Sequence, residues 1–390
     1  MLRFTGLPFM DCVLTGKNKM PTILETTVSS LSIMGIFFVI VMEFRTLVSI
    51  WQEDTMYALS TVPTILSVTL SLSKGVRFVQ KRLELKNLLQ KMALLWETSF
   101  HPNMHITTVD EMLDKLTIIR NIYFVVIVGG VVFYSLPVYA DIGLQYFFTK
   151  NENNSYNYTQ MIFPIVYPFT LRTAFPYFAV IAVEQILVII AITMWASCDT
   201  LFAHVVTYAA IHFRVLRHEL ENIFNSEYPA RPDDIINLKI AVIAKRHLEL
   251  FSLCNAIEDI FSPLVMLSML LSASNMCITM YEMEKMLSMN NYVELATNLI
   301  HLCALFLMVL TFCGFATMLS DQTEGVSLGA YGSNWFTCDP VMKILLIFIM
   351  MRAQKPFHCT AYGFFPISLN QVTAIFSSAL SYFSILRTMT

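Results

Sequence analysis

The strongest constraint on the fold is a series of apolar segments, each long enough to cross a lipid bilayer. A transmembrane α-helix needs about 20 consecutive, mostly apolar residues. Of the 390 residues, 56% are hydrophobic and only 14% are charged, whereas globular proteins average about 25% charged residues. We therefore expect an all-α polytopic membrane protein with seven transmembrane helices. The predicted spans are residues 28–50, 56–73, 122–140, 173–197, 260–281, 293–319 and 362–386.

The rest of the composition argues against several function classes. The net charge is −3, so no broad basic surface indicates nucleic-acid binding. None of the eight cysteines forms a C-x-x-C pair, so neither a metal site nor a disulfide framework is expected. The sequence has no G-x-S-x-G, glycine-rich phosphate loop or H-E-x-x-H motif, so we expect no catalytic residues and no cofactor. No repeat or Pro/Gly/Ser-rich linker divides the chain, which predicts one domain over residues 1–390.

The basic residues predict the orientation in the membrane. When the seven spans are threaded through a bilayer, all but five of the 25 Lys and Arg residues fall on the side of the N-terminus. Basic loops are retained in the cytoplasm, so the N-terminus is expected to be cytoplasmic and the C-terminus extracellular. G-protein-coupled receptors have the opposite orientation, and the sequence lacks D-R-Y after the third span and N-P-x-x-Y in the seventh. That class is therefore disfavoured.

Two N-x-S/T sequons support the same orientation. They begin at Asn153 and Asn157, and both lie in the loop 141–171. The predicted topology makes this loop extracellular, where such sequons accept N-linked glycans.

The C-terminal region departs from an ordinary apolar span. Residues 341–351 are apolar but too few to cross a bilayer, and a basic, proline-containing break follows them. The last predicted span carries small and polar residues at steps of three and four, which places them on one helical face. Such a face fits a tight seam between helices or the wall of a pore. Its members are Asn370, Ala374, Ser377, Ser381, Ser384 and Thr388.

Several short motifs follow one another between Trp335 and the last residues of the chain. They are Asp339-Pro340, Lys343, residues 350–356, residues 365–370 and residues 381–388. In this order they resemble the C-terminal region of the insect odorant receptors. The resemblance implies an odorant-gated, non-selective cation channel subunit. It also implies that the seventh helix is split into a short cytoplasmic part and a pore-lining part.

The resemblance also implies the partners of the chain. The shared co-receptor of the family has a long cytoplasmic insertion between the fourth and fifth spans, and only about 60 residues separate these spans here. The chain is therefore expected to be a ligand-tuning subunit that forms a heterotetramer with the co-receptor. Its ligands would be small volatile organic molecules, and its location the lipid plasma membrane of olfactory sensory neuron dendrites.

The two alternatives to an odorant receptor are an insect gustatory receptor and a secondary transporter. The insect gustatory receptors typically end in T-Y-x-x-x-L-x-Q-F, whereas this chain has Ser381 in place of the threonine and lacks the final Gln-Phe. A secondary transporter would be expected to have paired broken helices in inverted repeats, and the sequence has no such pattern. Both alternatives are therefore disfavoured.

By position from the end of the chain, the resemblance places the gate of the pore at Ile385 and Met389. A narrow hydrophilic site falls between them at Thr388, and the polar face adds Ser381 to the candidate pore residues. Ser384 and Ile385 lie about 100° apart on a helix, so only one of the two side chains can point toward the pore axis. We favour Ile385, because an apolar ring closes a pore by dewetting.

The segments within residues 198–256 and 339–353 are predicted to be cytoplasmic helices. Basic amphipathic helices of this kind often lie on anionic lipid headgroups. The resemblance favours the alternative that they form a packed anchor joining the subunits. A further helix is predicted to begin at Asp233.

The outer halves of the third to fifth spans contain candidate ligand-binding residues. Aromatic and methionine side chains suit small apolar ligands, although they also occur in cores and in interfacial aromatic belts. Glu184 is a charge in the middle of a span, and it is predicted either to line a ligand cavity or to form a structural pair. The other candidates are Phe133, Tyr134, Phe175, Tyr177, Phe178, Met276 and Met280.

Overall fold

The computed structural model of the chain describes residues 23–99, 107–148, 158–169, 173–224, 233–337 and 339–389, and nearly all of them are helical. The predicted glycosylation residues Asn153 and Asn157 lie outside the described residues. In chain order the helices are α1 Ile23–Ile50, α2 Thr55–Ser60, α3 Val62–Gln80, α4 Arg82–Ser99, α5 Thr107–Phe148, α6 Ala174–Glu221, α7 Asp233–Ser288, α8 Tyr292–Gly332, α9 Pro340–Ala353 and α10 Leu369–Met389.

Six of these described helices are long and apolar enough to cross a membrane, namely α1, α5, α6, α7, α8 and α10. The predicted all-α membrane fold is confirmed.

The predicted span 56–73 falls on two helices and not on one. The chain turns at Thr61, and α3 then begins with Pro63 in its first turn. Proline is tolerated there, where its missing N–H is not needed. Helix α3 then continues to Gln80 and buries Lys74.

The fourth and fifth predicted spans are parts of much longer helices. Helix α6 has 48 residues and α7 has 56, and α7 begins at Asp233 as predicted. From Ala196 to Leu220, α6 is buried on almost all sides by other helices. A helix that is apolar all round is stable only inside protein or lipid. This half of α6 therefore forms the centre of a packed helical region and does not lie on a membrane surface.

Shorter helices cover this region with one apolar face each. Helix α4 buries Leu85, Leu88, Met92 and Leu95, whose steps of three and four place them on one side of the helix. Helix α9 does the same with Met342, Leu346, Ile349 and Ala353. The predicted short helix before the last span is therefore present, at Pro340–Ala353.

The last span begins later than predicted, at Leu369 instead of Tyr362. Tyr362 and Gly363 have φ angles of 51° and 77°, a left-handed conformation that helices do not continue through. The Ile367 amide donates to the Cys359 carbonyl at 2.8 Å, which closes a hairpin-like loop. Helix α7 holds this loop, since the carboxylate of Glu258 accepts from the Thr360 amide at 3.0 Å.

Candidate functional site

A cavity of about 160 Å³ lies between α3, α5, α6 and α8. Helix α5 contributes Phe133 and Tyr134, two of the residues predicted from sequence, together with Gly130. Helix α6 contributes Val188, Ala191, Ile192 and Trp195, whose spacing places them on one face. These side chains form an apolar, partly aromatic wall.

The opposite wall is polar. Ser67 of α3 lies between two neighbours, since its Oγ is 2.9 Å from His301 Nε2 and accepts from the Asn275 amide nitrogen at 2.9 Å. A hydroxyl has one donor and two acceptor sites, so Ser67 accepts from Asn275 and still has a site for the ring nitrogen of His301. Further polar lining residues are Ser60, Thr64, Ser71, Glu282, Thr297 and Asn298.

This polar wall of the cavity was not predicted from the sequence. Ser60, Thr64, Ser67 and Ser71 follow one another at steps of four, three and four, which is a hydroxyl-bearing helical face inside a predicted span. The pattern is the same kind of signal that singled out the last span. Its significance depends on α8, which brings Thr297 and His301 opposite it.

The segment 158–169 closes the cavity with Phe163, whose ring contacts Tyr134 edge-on at 6.3 Å. Glu184 holds this segment. Its Oε2 accepts from the Ile162 amide at 2.8 Å, and its Oε1 accepts from the Tyr167 hydroxyl at 2.6 Å. Burial and the neighbouring carboxylate raise the pKa of Tyr167, so its hydroxyl remains a donor. Of the two interpretations of Glu184, its contacts favour the structural one, because it positions the lid of the cavity.

The remaining predicted ligand-binding residues do not line this cavity. Tyr177 is buried and donates from its hydroxyl to the Gln160 carbonyl at 2.8 Å, so it holds the same lid. Phe178 packs against the Tyr177 ring at 5.7 Å, whereas Phe175 is 86% exposed. In α7, Met276 is buried in the packed helical region around α6. Met280 is half-buried and packs against the same region.

A fully buried ion pair lies beneath the cavity. Lys74 Nζ is 2.6 Å from Asp199 Oδ1, and both side chains have zero exposure. Asp199 also accepts from the Tyr123 hydroxyl at 3.1 Å, and Lys74 lies 5.5 Å from the ring centre of Trp195. Tyr123 and Trp195 both line the cavity. The ion pair therefore connects the cavity to the packed C-terminal half of α6.

The candidate pore helix α10 packs on α7 and α8 through one face, on which Val372 and Ala379 are buried. Ser381, Ser384, Ile385 and Thr388 are exposed. The side chain of Met389 lies outside the described residues.

Several exposed hydroxyls of α10 are hydrogen-bonded within the helix. The Ser384 hydroxyl donates to the Leu380 carbonyl at 3.0 Å, and the Thr388 hydroxyl to the Ile385 carbonyl at 2.8 Å. Near the end of the helix, Arg387 Nε lies 2.9 Å from Glu284 Oε1 of α7.

In the described ranges no group of three His, Cys, Asp or Glu side chains is arranged to hold a metal ion.

The helices and the cavity together define the class of protein. Its apolar helices are those of a multi-pass membrane protein, and they surround a small, lidded cavity of the size of a small molecule. The sequence profile of the family described as 7tm Odorant receptor matches residues 54–380. The chain belongs to this odorant receptor family, which also agrees with the odorant branch favoured by the sequence.

Known proteins of this family are distant relatives. Odorant receptor 13a of Drosophila melanogaster is 22% identical over 244 residues, which are 57% of this chain and 58% of that protein. The odorant receptor coreceptor of Anopheles gambiae is 26% identical over 142 residues, or 36% of this chain and 29% of the coreceptor. The chain spans about half the length of the curated relatives it matches.

The fold also matches a solved structure. The insect olfactory receptor OR5 from Machilis hrabei, solved in complex with eugenol, superposes with a TM-score of 0.78. The match covers 96% of this chain and 92% of that receptor at 16% sequence identity. At this level of identity the likeness establishes the fold.

Proposed function

We propose that this protein is an odorant-gated, non-selective cation channel subunit that detects small volatile molecules. The observation that carries the proposal is the lidded cavity between α3, α5, α6 and α8, in a chain of the odorant receptor family. Apolar cavities with a few polar groups are the usual form of small-molecule sites. Responses to an odorant panel, recorded with and without the co-receptor, test the proposal.

The size of the cavity supports a small ligand. Its volume is about 160 Å³, and an engineered protein cavity of about 150 Å³ binds benzene. A ligand with a benzene-sized body and a short substituent therefore suits the site. Volatile compounds fall in this size range.

The proposed active form is a heterotetramer with the co-receptor. Only a small part of α10 is buried within this chain, and residues with small side chains and hydroxyl groups at membrane depth favour contact with another helix or with water. In the proposed assembly the exposed face with Ser381, Ile385 and Thr388 lines the pore, and Met389 follows. The N-terminus is cytoplasmic, and the complex is located in the dendritic plasma membrane of olfactory neurons.

Replacing Phe133 with alanine is expected to change the rank order of odorants, because a lost ring contact costs each ligand a different amount. Phe175→Ala is the matched control, since it removes the same side chain from an exposed position away from the cavity. Dose–response currents in the presence of the co-receptor, with surface labelling of both variants, measure the effect. Unchanged ranking in Phe133→Ala, at normal surface expression, would place the ligand elsewhere.

The proposed topology predicts glycosylation of the loop that contains Asn153 and Asn157. Glycosidase treatment should increase the mobility of the wild-type chain on a denaturing gel. The double variant Asn153→Gln, Asn157→Gln should migrate like the treated protein and show no shift. A shift that persists in the double variant contradicts the external assignment of this loop.

A further inference from the structure

Glu282 is an acid in the wall of the cavity with one oxygen that has no partner. It lies near the end of α7, its residue is only 5% exposed, and it belongs to the cavity lining. Asn298, which also lines the cavity, is a hydrogen-bonding neighbour of its carboxyl group, but Oε1 is buried and has no hydrogen-bond partner among the described residues. Leaving a carboxylate oxygen buried without a partner is costly, so this atom is a site for a donor supplied by the ligand.

The surroundings of Glu282 favour a cationic donor. The residues that line the cavity include neither lysine nor arginine, so no side chain there neutralises the carboxylate. A ligand that brings its own positive charge supplies what this lining lacks.

The rest of the cavity suits the body of such a ligand. The rings of Phe133, Tyr134 and Trp195 supply an apolar surface, and aromatic faces also attract cations. The only lining carboxyl group among the described residues of the cavity is that of Glu282, which is the natural partner of a donating group on the ligand. The geometry favours an aromatic or aliphatic body with one donating head group.

We propose that the cavity recognises a small protonated amine, with its ammonium group on Glu282 and its apolar body against Trp195 and the α5 aromatics. This inference rests on the proposed function, because it names the ligand class of the same site. Benzylamine is a suitable probe. Benzyl alcohol and ethylbenzene have the same shape and the same number of non-hydrogen atoms, but they replace the ammonium with a hydroxyl and a methyl group.

The test compares Glu282→Gln with wild type in cells that express the co-receptor. The benzylamine concentration for half-maximal current should rise about 10- to 100-fold, the loss expected for a charged hydrogen bond. Responses to benzyl alcohol and ethylbenzene, where present, should change much less. Glu53→Gln is the matched control, because Glu53 is exposed between α1 and α2 and lies outside the cavity.

A binding measurement separates failure of this inference from failure of the proposed function. Benzylamine should raise the unfolding temperature of the purified wild-type protein in detergent, but not that of Glu282→Gln. If this shift occurs and no odorant produces a current, the amine site stands and the channel function fails. If other odorants open the channel while benzylamine neither binds nor acts, or if Glu282→Gln responds to it like wild type, the amine assignment is overturned. A preference for benzyl alcohol over benzylamine also overturns it, in favour of a neutral donor.

Discussion

Lys74→Met is expected to lower the free energy of unfolding by about 3–5 kcal/mol, because it leaves the Asp199 carboxylate buried without its cation. The two charged atoms are 2.6 Å apart and both side chains have zero exposure. At this cost most of the chain should fail to reach the cell surface. Surface labelling, and the unfolding temperature of the purified protein in detergent, measure the loss.

The chain contains a matched control for this prediction. Lys81 and Glu84 form an ion pair of the same length, 2.6 Å, but their side chains are 27% and 52% exposed. Exposed pairs contribute about 0.2–1 kcal/mol, so Lys81→Met should have little effect. The double variant Lys74→Met, Asp199→Leu should regain much of the lost stability, since it removes both buried charges. Equal effects of Lys74→Met and Lys81→Met would contradict the structural role of the buried pair.

Ile385→Ser is expected to produce current in the absence of odorant. In the proposed channel Ile385 closes the pore as part of an apolar ring, and a serine ring would stay hydrated. Ile385 is 53% exposed in this chain, so its side chain is available to face a pore formed with partner subunits. Whole-cell current before odorant application, compared at equal surface expression, measures the leak. The co-receptor supplies its own gate residues, so a partial leak is expected.

Ser384→Ala is the control for the gate prediction. The Ser384 hydroxyl donates to a carbonyl of its own helix at 3.0 Å, so its removal should leave the closed pore intact. Unliganded current from Ser384→Ala, with Ile385→Ser silent, would reverse the assignment of the pore-facing residue.

The ion pair between Arg387 and Glu284 bears on the same gate. It joins the end of α10 to α7 at 2.9 Å, and Glu284 lies two positions after the cavity residue Glu282. The C-terminal end of α7 therefore contacts both the cavity and the candidate pore helix. A ligand that displaces this end of α7 would act directly on α10.

The sequence determined the class of fold because the length and apolarity of a segment are local properties. They predicted the membrane-spanning helices. The break at Pro229 to Pro232 predicted the helix beginning at Asp233, and the resemblance implied the short helix before α10. The ordered motifs near the C-terminus also indicated the odorant receptor family, which the match over residues 54–380 established. Two of the candidate ligand residues, Phe133 and Tyr134, line the cavity.

Only the tertiary structure decided which side chains meet. Tyr177 was a candidate ligand residue, and Glu184 was either a cavity residue or part of a structural pair. In the structure both bind the lid, because the lid lies against their faces of α6. Lys74 directly follows the predicted span 56–73, yet it pairs with Asp199, which is 125 positions away along the chain. Helical periodicity shows which residues share a face. It does not show which way that face points or which helix lies opposite it, because both depend on how all the helices pack together.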